Sequence, residues 1–217
     1  MNLIGIKSRK ASGNKITTKT KNKVLKDYAK LLDKEKNFIL KENTKDIKFA
    51  KNKGLKKNLI SRLLINEKKL NDIKKSISKI EKLKDPINVT LNKWKRPSGL
   101  NISKVTIPIG VIGVIYESRP NVTSDVASLC FKSGNSVILK GGSEAINTNR
   151  ILSKLFRRAL KINKVDENYI QFVDSRERKA VNIMLSKMKN YIDIIIPRGG
   201  KNLVKRVQDF SNVPIIG

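Results

Sequence analysis

The chain has 217 residues, with 48 Lys and Arg against 18 Asp and Glu, a formal charge of +30, no histidine and one cysteine. Without histidine it supplies no Ser-His-Asp triad, no imidazole base and no histidine-ligated metal site. One thiol makes neither an internal disulfide nor a CxxC pair, so no metal site or disulfide is expected.

From the amino terminus, residues 15–85 read as helices. Val24, Leu25, Tyr28, Leu31 and Leu32 recur on one face, and Phe38, Ile39, Ile47 and Ala50 continue in a second helix that Gly54 closes. Asn66 is a candidate N-cap for a third helix with Leu70, Ile73, Ile77 and Ile80 as its apolar stripe, ended by Asp85-Pro86. Residues 88–107 change character. Two short extended runs flank Arg96-Pro97-Ser98-Gly99, which predicts a β-hairpin. From residue 109 the pattern becomes strand–helix four times and then a strand. The strands are Ile109–Tyr116, Ser136–Lys140, Tyr169–Val173, Ile192–Pro197 and Val213–Ile216. Near-continuous Val, Ile and Leu mark strands covered on both faces, so the fold class is α/β with a doubly wound parallel sheet. The expected organisation is a helical segment at 1–87, a hairpin at 88–107 and a sheet domain at 108–217.

In such sheets ligands sit beyond the carboxyl ends of the strands. Those ends carry Tyr116-Glu-Ser-Arg-Pro-Asn121, Lys140-Gly-Gly-Ser-Glu144 and Pro197-Arg-Gly-Gly-Lys201. Two of these turns place a cation beside paired glycines just ahead of a helix. Glycine lets backbone N–H groups approach an anion, and the helix start favours negative charge. Both read as phosphate-binding turns. There is no G-x-G-x-x-G and no Walker A motif, so a dinucleotide would use a variant turn. Cys130 falls among apolar helix positions with no adjacent cation and reads as core.

These turns, together with Ser61-Arg-Leu-Leu64, Leu83-Lys-Asp-Pro86 and Trp94-Lys-Arg-Pro-Ser-Gly-Leu100, resemble the γ-glutamyl phosphate reductase family of the aldehyde dehydrogenase superfamily. The resemblance spans essentially the whole chain and corresponds to the amino-terminal half of the family. It implies a Rossmann-like, aldehyde dehydrogenase-like sheet and reduction of L-glutamyl 5-phosphate to L-glutamate 5-semialdehyde by NADPH, in proline synthesis. The family mechanism uses a cysteine thiolate, whose thioester receives a hydride. That cysteine is expected in a catalytic domain beyond residue 217, leaving this chain as the cofactor-binding half, inactive by itself. By the same resemblance Asn121 is the oxyanion donor. Lys140 contacts the adenosine ribose, with Gly141, Gly142, Ser143 and Glu144 in its turn. Arg198, Gly199 and Gly200 approach the cofactor from the neighbouring strand. Arg119, close to Asn121, is assigned to a substrate anion. NADP and NAD stay open, because Glu144 would repel a 2′-phosphate that Lys140, Ser143 and Arg198 would welcome. The hairpin resembles the superfamily's bridging segment, so a homo-oligomer is expected, with glutamate 5-kinase as a further partner.

Two other readings compete. One is a non-catalytic paralogue or decayed gene product. The other is a basic nucleic-acid-binding module, since two-thirds of the excess charge lies in the first hundred residues. Aromatics make up only 5%, and no Lys/Arg block interleaves with stacking residues. The abundant Lys, Asn and Ile read instead as compositional drift. No apolar segment approaches the roughly 18 residues of a membrane span, and Met1–Ile6 turns polar at once. A cytoplasmic protein that binds a small molecule, with neither nucleic acid nor membrane as partner, is expected.

Overall fold

The computed structural model describes residues 1–117 and 119–217; Ser118 lies outside the described residues. Five helices come first: α1 (Asn2–Ser12), α2 (Thr18–Lys34), α3 (Lys36–Asn52), α4 (Lys57–Leu63) and α5 (Glu67–Lys82). The predicted stripes of α2 and α5 are buried. Asn66 caps α5 by accepting from the Lys69 amide at 2.9 Å. Gly54 follows α3 at φ +68°, a left-handed conformation natural for glycine. Phe38 departs from its predicted stripe and is exposed, whereas its neighbour Ile39 is fully buried.

α1 lies within the segment expected to be helical at 1–87, but no helix is delineated before residue 15 in the sequence, because its Lys and Arg residues mask a weak apolar face. It docks through three buried small residues, Gly5, Ser8 and Ala11, and one ion pair. A Cβ on Gly5 would sit 2.6 Å from the Tyr191 ring, and Arg9 donates twice to Asp193, at 2.7 and 2.9 Å.

A hairpin follows, β1 (Thr90–Lys95) and β2 (Asn101–Val105), paired antiparallel around a turn with Gly99 at φ +86°. Both strands are almost wholly exposed.

The remainder alternates β3 (Val111–Tyr116), α6 (Asn121–Lys132), β4 (Ser136–Lys140), α7 (Ile146–Ile162), β5 (Ile170–Phe172), α8 (Arg178–Lys187), β6 (Ile194–Arg198) and α9 (Lys201–Phe210). The four strands form a parallel sheet in the order β5-β4-β3-β6. The predicted last strand is reduced to one parallel bridge, Ile195 to Ile215, on the outer side of β6. Pro214 lacks an N–H, and two bonds remain: the Ile195 amide donates to the Pro214 carbonyl at 2.8 Å, and the Ile216 amide donates to the Ile195 carbonyl at 3.1 Å. Because β3 is central, the connections run one way through β4 and β5 and then reverse to β6, which puts the switch point between β3 and β6.

The sheet faces separate two cores. Ile112, Val114, Tyr116, Val137 and Leu139 join the side chains of α2, α5, α6 and α7. Val111, Ile115, Ile138 and Ile195 join those of α8 and α9. Cys130 is buried in the first core, and burial pushes its thiol up to about 12. Among the described residues no helix is long and apolar enough to cross a membrane.

Candidate functional site

Parallel pairing sends the carboxyl ends of β3, β4 and β6 to one edge. Lys140 lies in register with Ile115, and Arg198 with Tyr116. The two predicted cations therefore flank β3 on the same edge. Adjacent registers alternate between faces, so Lys140 leaves the sheet toward α8 and Arg198 toward α6.

The Lys140 turn is built from below. Tyr116 hydroxyl meets Thr123 Oγ1 at 2.6 Å, and Thr123 donates to Asn149 Oδ1 at 2.9 Å. This buried network lies under Gly141, where a Cβ would fall 2.2 Å from Asn149 Nδ2 and 3.0 Å from the Tyr116 ring. Gly141 is thus bare for the sake of packing. Gly142 is different: the atoms near its Cβ position are the carboxylate of Glu144, a movable side chain. Lys140 is buried and donates to the Gly141 carbonyl at 2.8 Å. Burial pulls its ammonium below the usual lysine range, and Glu144 opposes that shift. The far wall is Arg176, which donates to the Ser143 carbonyl at 3.1 Å and stacks 4.1 Å from the Phe49 ring centroid. From α3, Asp46 accepts from the Asn147 and Thr148 amides at 3.2 and 2.8 Å, which fixes the start of α7. Burial raises the Asp46 carboxyl pKa, against the pull of those bonds.

The Arg198 turn is exposed, with Gly199 close against the movable side chains of Glu117 and Leu203 and Gly200 open. Gly200 caps α9 and only Glu117 Oε2, at 3.8 Å, approaches its Cβ position. Glu117 Oε2 accepts from the Gly200 amide at 2.9 Å, and the Glu117 amide donates to the Arg198 carbonyl at 3.2 Å. The Gly200 amide, where the sequence reading expects an anion, is thus met by the chain's own Glu117 carboxylate.

Three concavities follow one another along the edge. The first, about 370 Å³, contains Lys140, Gly142, Ser143, Glu144, Arg176 and Glu117. The second, about 380 Å³, contains Arg62, Glu117, Arg119, Arg198, Gly199 and Gly200. The third, about 320 Å³, contains Arg62, Lys69, Asp72, Ser76, Asn121 and Asp125. Glu117 is a wall common to the first two, and Arg62 is common to the last two. Asn121 opens α6 and donates through Nδ2 to Asp125 Oδ2 at 3.1 Å. Cys130 borders none of the three.

No protein-family model matches the chain. The γ-glutamyl phosphate reductase of Clostridium acetobutylicum is 43% identical over 213 residues, covering 97% of this chain and 51% of that protein. The Clostridium tetani enzyme of the same name is 49% identical over 160 residues, covering 74% and 37%. The crystal structure of the Thermotoga maritima γ-glutamyl phosphate reductase superposes with a TM-score of 0.95 at 38% identity, covering 99% of this chain and 52% of that one. Over the half that it spans, the chain belongs to the γ-glutamyl phosphate reductase family. It corresponds to the amino-terminal half and spans about half the length of these relatives. A probable aldehyde dehydrogenase of Listeria monocytogenes shares the fold at 15% identity with a TM-score of 0.72. So does an engineered glycolyl-CoA reductase with bound NADP+, at 16% and 0.72.

Within the chain, the residues singled out from sequence divide between the concavities. Lys140 to Glu144 border the first, Arg119 and Arg198 to Gly200 the second, and Asn121 the third. The sequence reading gave no role to Glu117, Arg62, Asp125 or Arg176. Glu117 and Arg62 were visible only as members of family-like motifs. Asp125, four residues after Asn121 on a helix, carried the i to i+4 spacing that brings the two side chains together.

Proposed function

We propose that this chain provides the cofactor-binding side and the oxyanion donor for NADPH-dependent reduction of L-glutamyl 5-phosphate to L-glutamate 5-semialdehyde. The observation that carries the proposal is the pair of cation-Gly-Gly turns on either side of β3 at the switch point, with Asn121 beside them. Side-chain-free backbone at Gly142 and Gly200 lets the phosphates of a dinucleotide come close, so the residues fit such a group once the Glu144 carboxylate moves off Gly142 and Glu117 withdraws from the Gly200 amide. When bound, the nicotinamide supplies hydride to the acyl carbon.

The chain's own residues bind and orient. Lys140, already desolvated, meets the ribose hydroxyls, and its charge with the Ser143 hydroxyl in the same concavity receives a 2′-phosphate. Arg119 and Arg198 surround the second concavity and neutralise phosphate oxygens there. One amide proton of Asn121 is committed to Asp125, which turns the other toward the acyl oxygen as negative charge develops on it. Cys130, buried with its thiol held protonated, takes no part as nucleophile; that thiolate belongs to the portion of the family that this chain does not span. In the same reading residues 1–87 buttress the cofactor domain at 108–217, and the hairpin at 88–107 bridges subunits.

Fluorescence or calorimetric titration with NADPH at moderate salt tests the proposal. Saturable binding, tighter for NADPH than for NADH, is expected. No saturation at millimolar cofactor would overturn it.

A further inference from the structure

The third concavity carries charges of both signs that do not neutralise one another. Among the described residues Arg62 and Asp72 make no ion pair or hydrogen bond, although both border it. Lys69 donates to the Ser61 and Leu64 carbonyls, both at 2.7 Å, and burial lowers its pKa, with Arg119 adding to the effect. Those two bonds fix the ammonium in place and leave one proton unused. Asp125 gives one oxygen to Asn121, and its other oxygen, Oδ1, is buried without a partner. Buried polar atoms are rarely left unpaired, so an orphaned carboxylate oxygen on a residue that borders the cavity marks the place of an absent donor. Other opposite charges of this chain do meet as ordinary ion pairs, as Lys21 does with Asp85 at 2.9 Å. Here they stand around a void of about 320 Å³ next to the proposed oxyanion donor.

We infer that this cavity is a receptor for the zwitterionic α-amino-acid end of the substrate. Arg62 and the spare proton of Lys69 hold the α-carboxylate. Asp125 Oδ1 and Asp72 receive the α-ammonium, with the Ser76 hydroxyl alongside. The side chain then reaches toward Asn121, and the acyl group beyond it faces the cationic second concavity, where Arg62 forms the common wall. The inference rests on the proposed function for which end of the substrate reacts. The recognition of a zwitterion rests on the charges alone.

The test uses the ¹⁵N-labelled chain and three neutral-ended esters: L-glutamate γ-methyl ester, monomethyl glutarate, which lacks the ammonium, and methyl 4-aminobutanoate, which lacks the carboxylate. The amino-acid ester is expected to shift the amide resonances of Ser76 and Asn121, and each deletion ligand to bind at least about tenfold more weakly, the scale of a charge-assisted hydrogen bond. Arg62→Gln should erase discrimination against methyl 4-aminobutanoate but keep that against monomethyl glutarate. Asp72→Asn combined with Asp125→Asn should do the reverse. A merely structural role predicts parallel losses for all three esters. Equal binding of the three esters, shifts mapping away from α5 and α6, or no binding at all would overturn the inference. An NADPH titration of the same sample separates the two readings. Cofactor binding without ester discrimination sinks the zwitterion receptor alone, and ester discrimination without cofactor binding sinks the cofactor reading alone.

Discussion

Lys140-Gly141-Gly142 and Arg198-Gly199-Gly200 look alike in sequence, yet they are different structures. In the first, the cation is buried and its first glycine is bare because Tyr116 and Asn149 leave no room for a side chain. In the second, the cation and both glycines are exposed, and the Gly200 amide is satisfied by Glu117. The lesson is that a paired-glycine turn has two separable functions, close packing under the chain and an open amide above it. Only the second is specific to an anion.

The largest effect is expected from a methyl group at the packed glycine. Gly141→Ala drives a Cβ into buried atoms of Asn149 and Tyr116, and should cost about 3 kcal/mol of stability, the upper range for overpacking, read as a drop in urea midpoint. Gly200→Ala meets only Glu117 Oε2, at an ordinary contact distance of 3.8 Å, and should cost no more than about 1 kcal/mol, the scale of an altered cap. Equal damage at both positions would erase the distinction between the turns.

Next comes Lys140→Met. It should weaken NADPH about tenfold or more, as expected for a lost hydrogen bond from a charged donor, without lowering the thermal midpoint. A falling midpoint with unchanged affinity would make Lys140 structural. At the other turn Glu117→Gln removes a like charge from the anion cradle. NADPH should then bind about fivefold more tightly, equivalent to about 1 kcal/mol. Weaker binding would show that Glu117 contacts the cofactor rather than excluding it.

The smallest effect is a pH slope. The Lys140 pKa is lowered in the folded state, chiefly by burial. Between that value and the unfolded one of about 10.4, the unfolded chain binds more protons, so stability rises with pH. Chemical denaturation of wild type against Lys140→Met should show the wild type gaining relative stability from neutral pH toward that limit. Parallel curves would mean that the ammonium is not desolvated.

The architecture was legible because its signals are local and redundant. The apolar runs of β3 and β4 are buried on both faces, and the stripes of α2 and α5 repeat at helical period. α1 was not legible. Its docking depends on Gly5 meeting Tyr191 and Arg9 meeting Asp193, contacts between opposite ends of the chain that leave no periodic trace. The last strand was overread, because an apolar Val-Pro-Ile-Ile run predicts extension but not how many ladder bonds will form.

For the candidate site, sequence alone fixed which residue types occupy the strand ends. Strand–helix alternation, glycine and charge are written in consecutive letters. It did not fix which of those groups face one another. The parallel register put Lys140 and Arg198 on opposite faces of one edge, Glu117 against Gly200, and Arg62 from a distant helix into the same rim. The physical reason is that backbone conformation is set by neighbours in the chain, whereas the partner of a charge is set by packing between segments far apart in sequence.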